Sequence, residues 1–327
     1  MAFEHISGNE HVKKYLNHMV LTSRVGNSLL FAGPSSSQKE LFAEELAKLL
    51  IAKDNPDALS KIEKGIHPDL RHYRAEGKIA MHSIDSLRQL GDEVYLLPNE
   101  SPFKVFIIHD AERMLPYSAN ALLKTFEEPL TSSVIILLSD HPEKLLPTIM
   151  SRCRAVYFQH NENQTEKESE VEQKMLLLLA QNKLSLQSLK SVLSEVSVSM
   201  DLLKKNIEDA VRGSIGNRLE DLSASQKEII NKEIDGAAAL GHLNEVNALF
   251  QVILAWYRDM HLIKAQGNPK LLIYPQYKLQ LEAALARGDI KQIEDVEEFI
   301  LQAKLAVERF TPLNNALETL FFKLDKV

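Results

Sequence analysis

Five short apolar runs punctuate the first half of the chain, at residues 28–32, 70–74, 103–109, 133–139 and 155–158. Apolar runs of that length without polar alternation predict strands buried on both faces. Between them, hydrophobic residues recur at helical spacing. Over 38–52, Leu41, Phe42, Leu46, Leu49 and Leu50 share one predicted helix face, and Ile84, Leu87 and Leu90 form a second stripe before Pro98. Strands alternating with helices predict an α/β layer built on a mostly parallel sheet.

The pattern changes at residues 161–172, which are polar and acidic, with Glu162, Glu166, Glu168, Glu170 and Glu172 and no aromatic side chain. Such a segment marks a domain boundary. Beyond it the strand signals stop and helices follow one another. The clearest, 244–264, carries Val246, Phe250, Ile253, Tyr257 and Met260 at steps of three and four, with Gly267 and Pro269 to close it. Asp289 is placed to cap a helix carrying Ile293, Val296, Ile300, Ala303 and Val307, and Thr311-Pro312 opens another carrying Leu313, Leu317, Leu320 and Leu324. These stripes, and Trp256 and Tyr257 with them, are read as packing surfaces.

A chain of 327 residues with 45% hydrophobic content can build two or three packed domains. No apolar run reaches the ~20 residues that span a bilayer, and Glu4 and His5 replace the basic start of a secretory leader, so a cytoplasmic protein without membrane contact is expected. A lone cysteine, Cys153, excludes internal disulfides and any cysteine-rich zinc site within one chain, and no partnered nucleophile role is assigned to it. The net charge of −7 argues against wholesale coating of DNA.

Residues 33–40, Gly-Pro-Ser-Ser-Ser-Gln-Lys-Glu, lie between a strand and a helix, where a phosphate-binding loop would sit. Gly33 and Lys39 fit that pattern. Gln38 stands where a second glycine would allow close backbone approach, and Glu40 stands where a hydroxyl would hold Mg²⁺. A carboxylate ~4 Å from each phosphate charge adds about 1 kcal/mol of repulsion in water and about 4 at an intermediate dielectric. A simple polar turn opening a helix is the alternative reading of the same eight residues.

Two further motifs are more specific: Asn-Ala-Leu-Leu-Lys-Thr-Phe-Glu-Glu-Pro at 120–129, and Leu-Pro-Thr-Ile-Met-Ser-Arg-Cys at 146–153 beyond an apolar strand. Together they resemble the clamp-loader branch of the AAA+ ATPases. Residues 24–34, Gly-Ile-His-Pro-Asp-Leu at 65–70 and Asn-Ala-Leu-Glu at 315–318 extend the resemblance over nearly the whole chain. It implies an AAA+ α/β domain with a five-stranded parallel sheet (1–160), a small helical lid (161–208) and an all-helical collar that joins subunits in a ring (209–327).

The family's spacing puts His109 where an active member carries the Mg²⁺-binding Asp of its Walker B strand, with Asp110 following; imidazole is a poor ligand for hard Mg²⁺. His109 is therefore read as a packing or hydrogen-bonding residue, and Ser139, at the polar sensor position, as a cap or turn residue. Relatives that hold zinc do so through cysteines that 52–65 lacks, so no zinc is expected, and Ala58, Leu59 and Ile62 are expected to pack there instead. The Ser-Arg-Cys motif implies that Arg152 is an arginine finger acting on a neighbour's nucleotide. The resemblance thus implies a subunit that binds no ATP itself and works with ATPase subunits, a further clamp-loader subunit, a sliding clamp and primer-template DNA. Two other readings stay open: a working ATPase in which Lys39 grips phosphates and Asp110 recruits Mg²⁺ through water, and a stand-alone DNA-binding protein.

Overall fold

The computed structural model describes residues 3–53, 55–159, 169–181, 185–215, 224–286 and 290–324. They fall into two compact units, Met1–Thr165 with Asn217–Ala237, and Glu166–Gly216 with Ala238–Val327.

The first unit is built on five strands, β1 (Ser28–Ala32), β2 (Leu70–Tyr73), β3 (Lys104–Ile108), β4 (Ser133–Ser139) and β5 (Arg154–Tyr157), all parallel, in the order β2-β3-β4-β1-β5. These are the five runs expected, with ends shifted by a residue at three of them. Successive side chains alternate between faces. Leu29, Phe31, Val105, Ile107, Val134 and Ile136 enter one core, and Leu30, Ala32, Phe106, Ile108, Ile135 and Leu137 enter the other. Helices α1 (Glu10–Leu21), α2 (Lys39–Ile51) and α3 (Pro56–Glu63) bury side chains in the first core, and α4 (Ile84–Glu93), α5 (Pro116–Ala121), α6 (Leu123–Glu127) and α7 (Pro147–Met150) in the second. Coverage on both sides is why the strands read as continuous apolar runs.

Helix α2 buries Lys39, Phe42, Ala43, Leu46, Ala47, Leu50 and Ile51, whereas Leu41 is exposed. The expected face was rotated: the i, i+3, i+4 ladder that meets the sheet starts at Lys39, and Leu41 lies off it. In α3, Ala58 and Ile62 are buried and Leu59 packs against the same core, filling 52–65 as expected. The Gly-Ile-His-Pro-Asp-Leu motif has a structural purpose. The buried Asp69 carboxylate accepts hydrogen bonds from the Asn99, Glu100 and Ser101 amides and from Asn99 Nδ2, fixing the loop before β3. Burial alone would raise its pKa, but these bonds together hold it below the usual carboxylate value.

The second unit is helical: α8 (Glu170–Ala180), α9 (Leu186–Ile215), the later part of α10 (Ala224–Lys264), α11 (Lys278–Leu285), α12 (Ile293–Glu308) and α13 (Leu313–Lys323). Trp256, Tyr257 and the stripe from Val246 to Met260 are buried in its core. The helix expected over 244–264 is the end of α10, a helix of 41 residues. Its close is a Schellman-type turn in which Gln266 takes the left-handed conformation (φ 54°) and the Gly267 amide bonds the Leu262 carbonyl. A Cβ at Gly267 would lie 2.3 Å from Leu262 Cδ1, so a larger residue there would require the leucine side chain to shift. Asp289 lies outside the described residues. No helix among the described residues is long and apolar enough to cross a membrane.

At the end of β1, Gly33 passes so close to the chain leaving β5 that a Cβ would meet Phe158 O at 2.5 Å and Phe158 Cβ at 2.8 Å. Gly33→Ala is therefore expected to cost about 1–3 kcal/mol, read as a lower urea midpoint of the purified chain; an unchanged midpoint would disprove the close packing.

Candidate functional site

A parallel sheet delivers the carboxyl ends of its strands to one edge, where the loops that carry chemistry collect. The register here aligns Ala32 with Ser139 and Tyr73 with Ile108. The residues next along, Gly33, Arg74, His109 and Asp140, are thereby brought to the first turn of α2.

After Pro34 the 33–40 segment makes a 3₁₀ turn, Ser35–Ser37, and enters α2 through Gln38. Gln38 adopts φ 60°, ψ 23°, the left-handed conformation that glycine would take without the ~1–2 kcal/mol cost of a side chain. Ser7 Oγ donates to Gln38 Oε1 at 3.2 Å, and Asn9 Nδ2 reaches the Ser37 carbonyl at 3.3 Å. Lys39 is only 6% exposed. Its Nζ donates to the Pro34 carbonyl at 3.3 Å and forms an ion pair with Asp140.

Glu40 and His109 meet through a residue that sequence reasoning missed. Arg74 donates from Nη2 to Glu40 Oε1 and from Nη1 to His109 Nδ1, both at 3.1 Å. A guanidinium has no lone pair, so Nδ1 must accept. Nε2 of His109 then carries the proton and donates to His72 Nδ1 at 3.1 Å, which leaves His72 Nε2–H facing Glu44 Oε1 at 3.6 Å. Burial, with Arg74, His72 and His82 nearby, holds His109 well below the usual histidine value, and burial followed by Arg74 pushes His72 down to about 4. Both imidazoles are neutral at pH 7, and both ring nitrogens of His109 are engaged within the chain.

Asp110 sits in the left-handed region at φ 49°, just beyond His109. Burial, then the carboxylates of Glu112 and Asp140, push it up to about 6. Ser139, expected as a cap or turn residue, does neither: its buried hydroxyl has no hydrogen-bond partner, while its carbonyl accepts from the Gly33 amide at 3.1 Å.

Arg152 lies elsewhere, between α7 and β5, the outer strand on that side of the sheet. Its Nε donates to Glu127 Oε1 at 2.6 Å, Nη2 pairs with the same carboxylate, and Nη1 donates to the Thr148 carbonyl at 2.9 Å. Cys153 is a half-buried free thiol that burial pushes up to about 12, so it carries no thiolate at neutral pH. Sequence reasoning missed Arg74, His72, Asp140 and Glu127. For Arg74 and Asp140 the available signal was position, each being a charged residue directly after an apolar strand.

The sheet edge thus holds a loop lysine paired from within the chain, and a Ser-Arg-Cys motif lies beside an edge strand. Residues 8–162, just under half of the chain, match the family described as DNA polymerase III, delta subunit. The delta' subunit of Bacillus subtilis is 32% identical over 156 residues, covering 45% of this chain and 46% of that one; the tau subunit of the same bacterium is 27% identical over 291 residues, covering 80% and 50%. The chain spans about half or less of the length of the first curated relatives it matches. Among solved structures, a gamma subunit-related protein of Thermotoga maritima aligns over 90% of this chain and 98% of that one (TM-score 0.37, 22% identity), and the Bacillus subtilis DNA clamp loader delta protein over 95% and 99% (TM-score 0.34, 12% identity).

The raised pKa of Asp110 has a definite sign. Folded protein holds this proton more tightly than unfolded chain, whose value is near 3.8, so Asp110 lowers stability as pH rises from about 4 to about 6, and the full penalty applies above that. Asp110→Asn should therefore gain about 2–3 kcal/mol of stability relative to the parent between pH 4 and pH 7.5. The opposite contribution of His72 is common to both proteins and drops out of the difference. Urea titrations at the two pH values measure it; a pH-independent difference would contradict the buried charge.

Proposed function

We propose that this chain is a non-hydrolysing, delta prime-type subunit of the DNA polymerase III clamp loader. It helps load the sliding clamp onto primed DNA in the cytoplasm, with gamma/tau ATPase subunits and the delta subunit as partners. Residues 161–208 serve as its lid and 209–327 as the collar that joins it to the ring.

The observation that carries this reading is the state of the cations at the strand ends. Lys39, which would have to grip a triphosphate, is committed to Asp140 and the Pro34 carbonyl. Glu40 adds negative charge where a metal-holding hydroxyl would be, and His109 offers no free lone pair to a metal. Hard Mg²⁺ takes oxygen ligands in octahedral array. The remaining carboxylate at this position, Asp110, is itself driven toward its neutral form by burial and its acidic neighbours. This donor set does not suit magnesium triphosphate, and the chain needs no zinc or nucleotide of its own.

Arg152, by contrast, lies beside an edge strand, and in this reading it acts as an arginine finger on the neighbouring subunit's ATP. Such a cation in trans is worth ~10³–10⁵ in rate, against about 1 kcal/mol or less for a surface ion pair. In a reconstituted clamp loader, Arg152→Ala should lower turnover at the site it serves by ~10³-fold or more, so that DNA-stimulated ATP hydrolysis by the whole complex falls by that site's share. Unchanged hydrolysis and clamp loading would remove the finger role. The isolated chain, titrated with a fluorescent ATP analogue and Mg²⁺, should show no saturable binding; tight, Mg²⁺-dependent binding would restore the working-ATPase reading.

A further inference from the structure

The finger reading leaves one feature of Arg152 unaccounted for: its guanidinium already has an anion. Nε reaches Glu127 Oε1 at 2.6 Å, Nη2 pairs with the same carboxylate, and Nη1 is tied to the Thr148 carbonyl at 2.9 Å and to Ser151 Oγ at 3.3 Å. All three nitrogens are used within the chain. Glu127 is also unusual for its place. It is the last residue of α6, just before Glu128 and Pro129, where the unpaired carbonyls of a helix end disfavour a carboxylate. The pair is half-exposed, with 29% of the arginine side chain and 46% of the glutamate open to solvent.

We propose that Glu127 is the positioning residue of Arg152: it holds the guanidinium ordered beside the edge strand and competes for it with the neighbouring subunit's triphosphate. This rests on the finger reading given above. A carboxylate carries one charge and a triphosphate several, so a neighbour's nucleotide wins the guanidinium when it arrives. In its absence Glu127 keeps the long arginine side chain in one place and neutralised. The exchange is feasible because the pair is half-exposed: Glu127 returns to water when it lets go, and no charge is left buried. Glu127 thus sets how much nucleotide the neighbour must bind before Arg152 engages.

The test is Glu127→Gln in the reconstituted clamp loader, with Arg152→Ala alongside. Glutamine keeps the length and one acceptor oxygen but removes the competing charge. The component of ATP turnover that Arg152→Ala abolishes is titrated with ATP in the parent and Glu127→Gln complexes. The apparent KM of that component should fall about three- to fivefold in Glu127→Gln, with kcat within about twofold of the parent, equivalent to about 1 kcal/mol of competition. An unchanged KM overturns the competition, and a fall in kcat without a lower KM means that the carboxylate only braces the finger. If Arg152→Ala abolishes no component at all, the finger reading itself fails, and this proposal with it.

Discussion

The arrangement of this molecule turns on a constraint at the carboxyl edge of its parallel sheet. Strand register carries Arg74, His109 and Asp140 to the start of α2, which contributes Lys39 and Glu40, and in such a partly buried place a charge without a counter-charge is costly. In a nucleotide-binding loop the counter-charge of the lysine is the phosphate. Here the chain supplies it from within: Asp140 neutralises Lys39, and Glu40 neutralises Arg74. Both of these cations are paired before any ligand arrives.

The departures from a phosphate-binding pattern are therefore coupled. Glu40, which would repel a phosphate, is the partner that Arg74 needs. His109, which would be a poor ligand for Mg²⁺, accepts a hydrogen bond from the same guanidinium through Nδ1, and a carboxylate in its place would bring another negative charge into a region where Asp110 is already driven toward neutrality. Gln38 keeps the left-handed turn that a glycine would make and bonds Ser7. Reverting Glu40 would remove the carboxylate paired with Arg74, so pairwise energies at this edge do not simply add.

The sheet was legible because burial on both faces leaves an unmistakable apolar run, and the helical stripes of the second unit because helical periodicity is local. Leu41 was misplaced because several leucines fit two adjacent helix faces, and only the sheet decides which one is buried. The true extent of α10 was hidden because its hydrophobic stripe is clear only toward its end. Arg74, Asp140 and Glu127 could not be found by period or spacing, since their partners lie 34, 101 and 25 residues away in sequence. Such pairs are created by strand register and helix packing. What a single sequence reveals about them is that a charged residue follows an apolar strand, which says where the side chain sits but not whom it meets.

Under the proposed function the chain withholds Lys39 and offers Arg152, although both are paired with carboxylates. The Lys39 side chain is 8% exposed while its partner Asp140 is 30% exposed, so separating this pair strands one charge, the cation, away from water. Arg152 and Glu127 are half-exposed, and pairs of that kind contribute about 1 kcal/mol or less because water replaces the lost partner. The largest difference between the two pairs is the burial of the cation, 8% exposed in Lys39 against 29% in Arg152. The proposed function therefore has the lysine keep its carboxylate when an anion arrives and the arginine exchange it. In the proposed reading, solvent exposure of the ion pair weighs more than the identity of the cation in deciding which of the two could act on a phosphate.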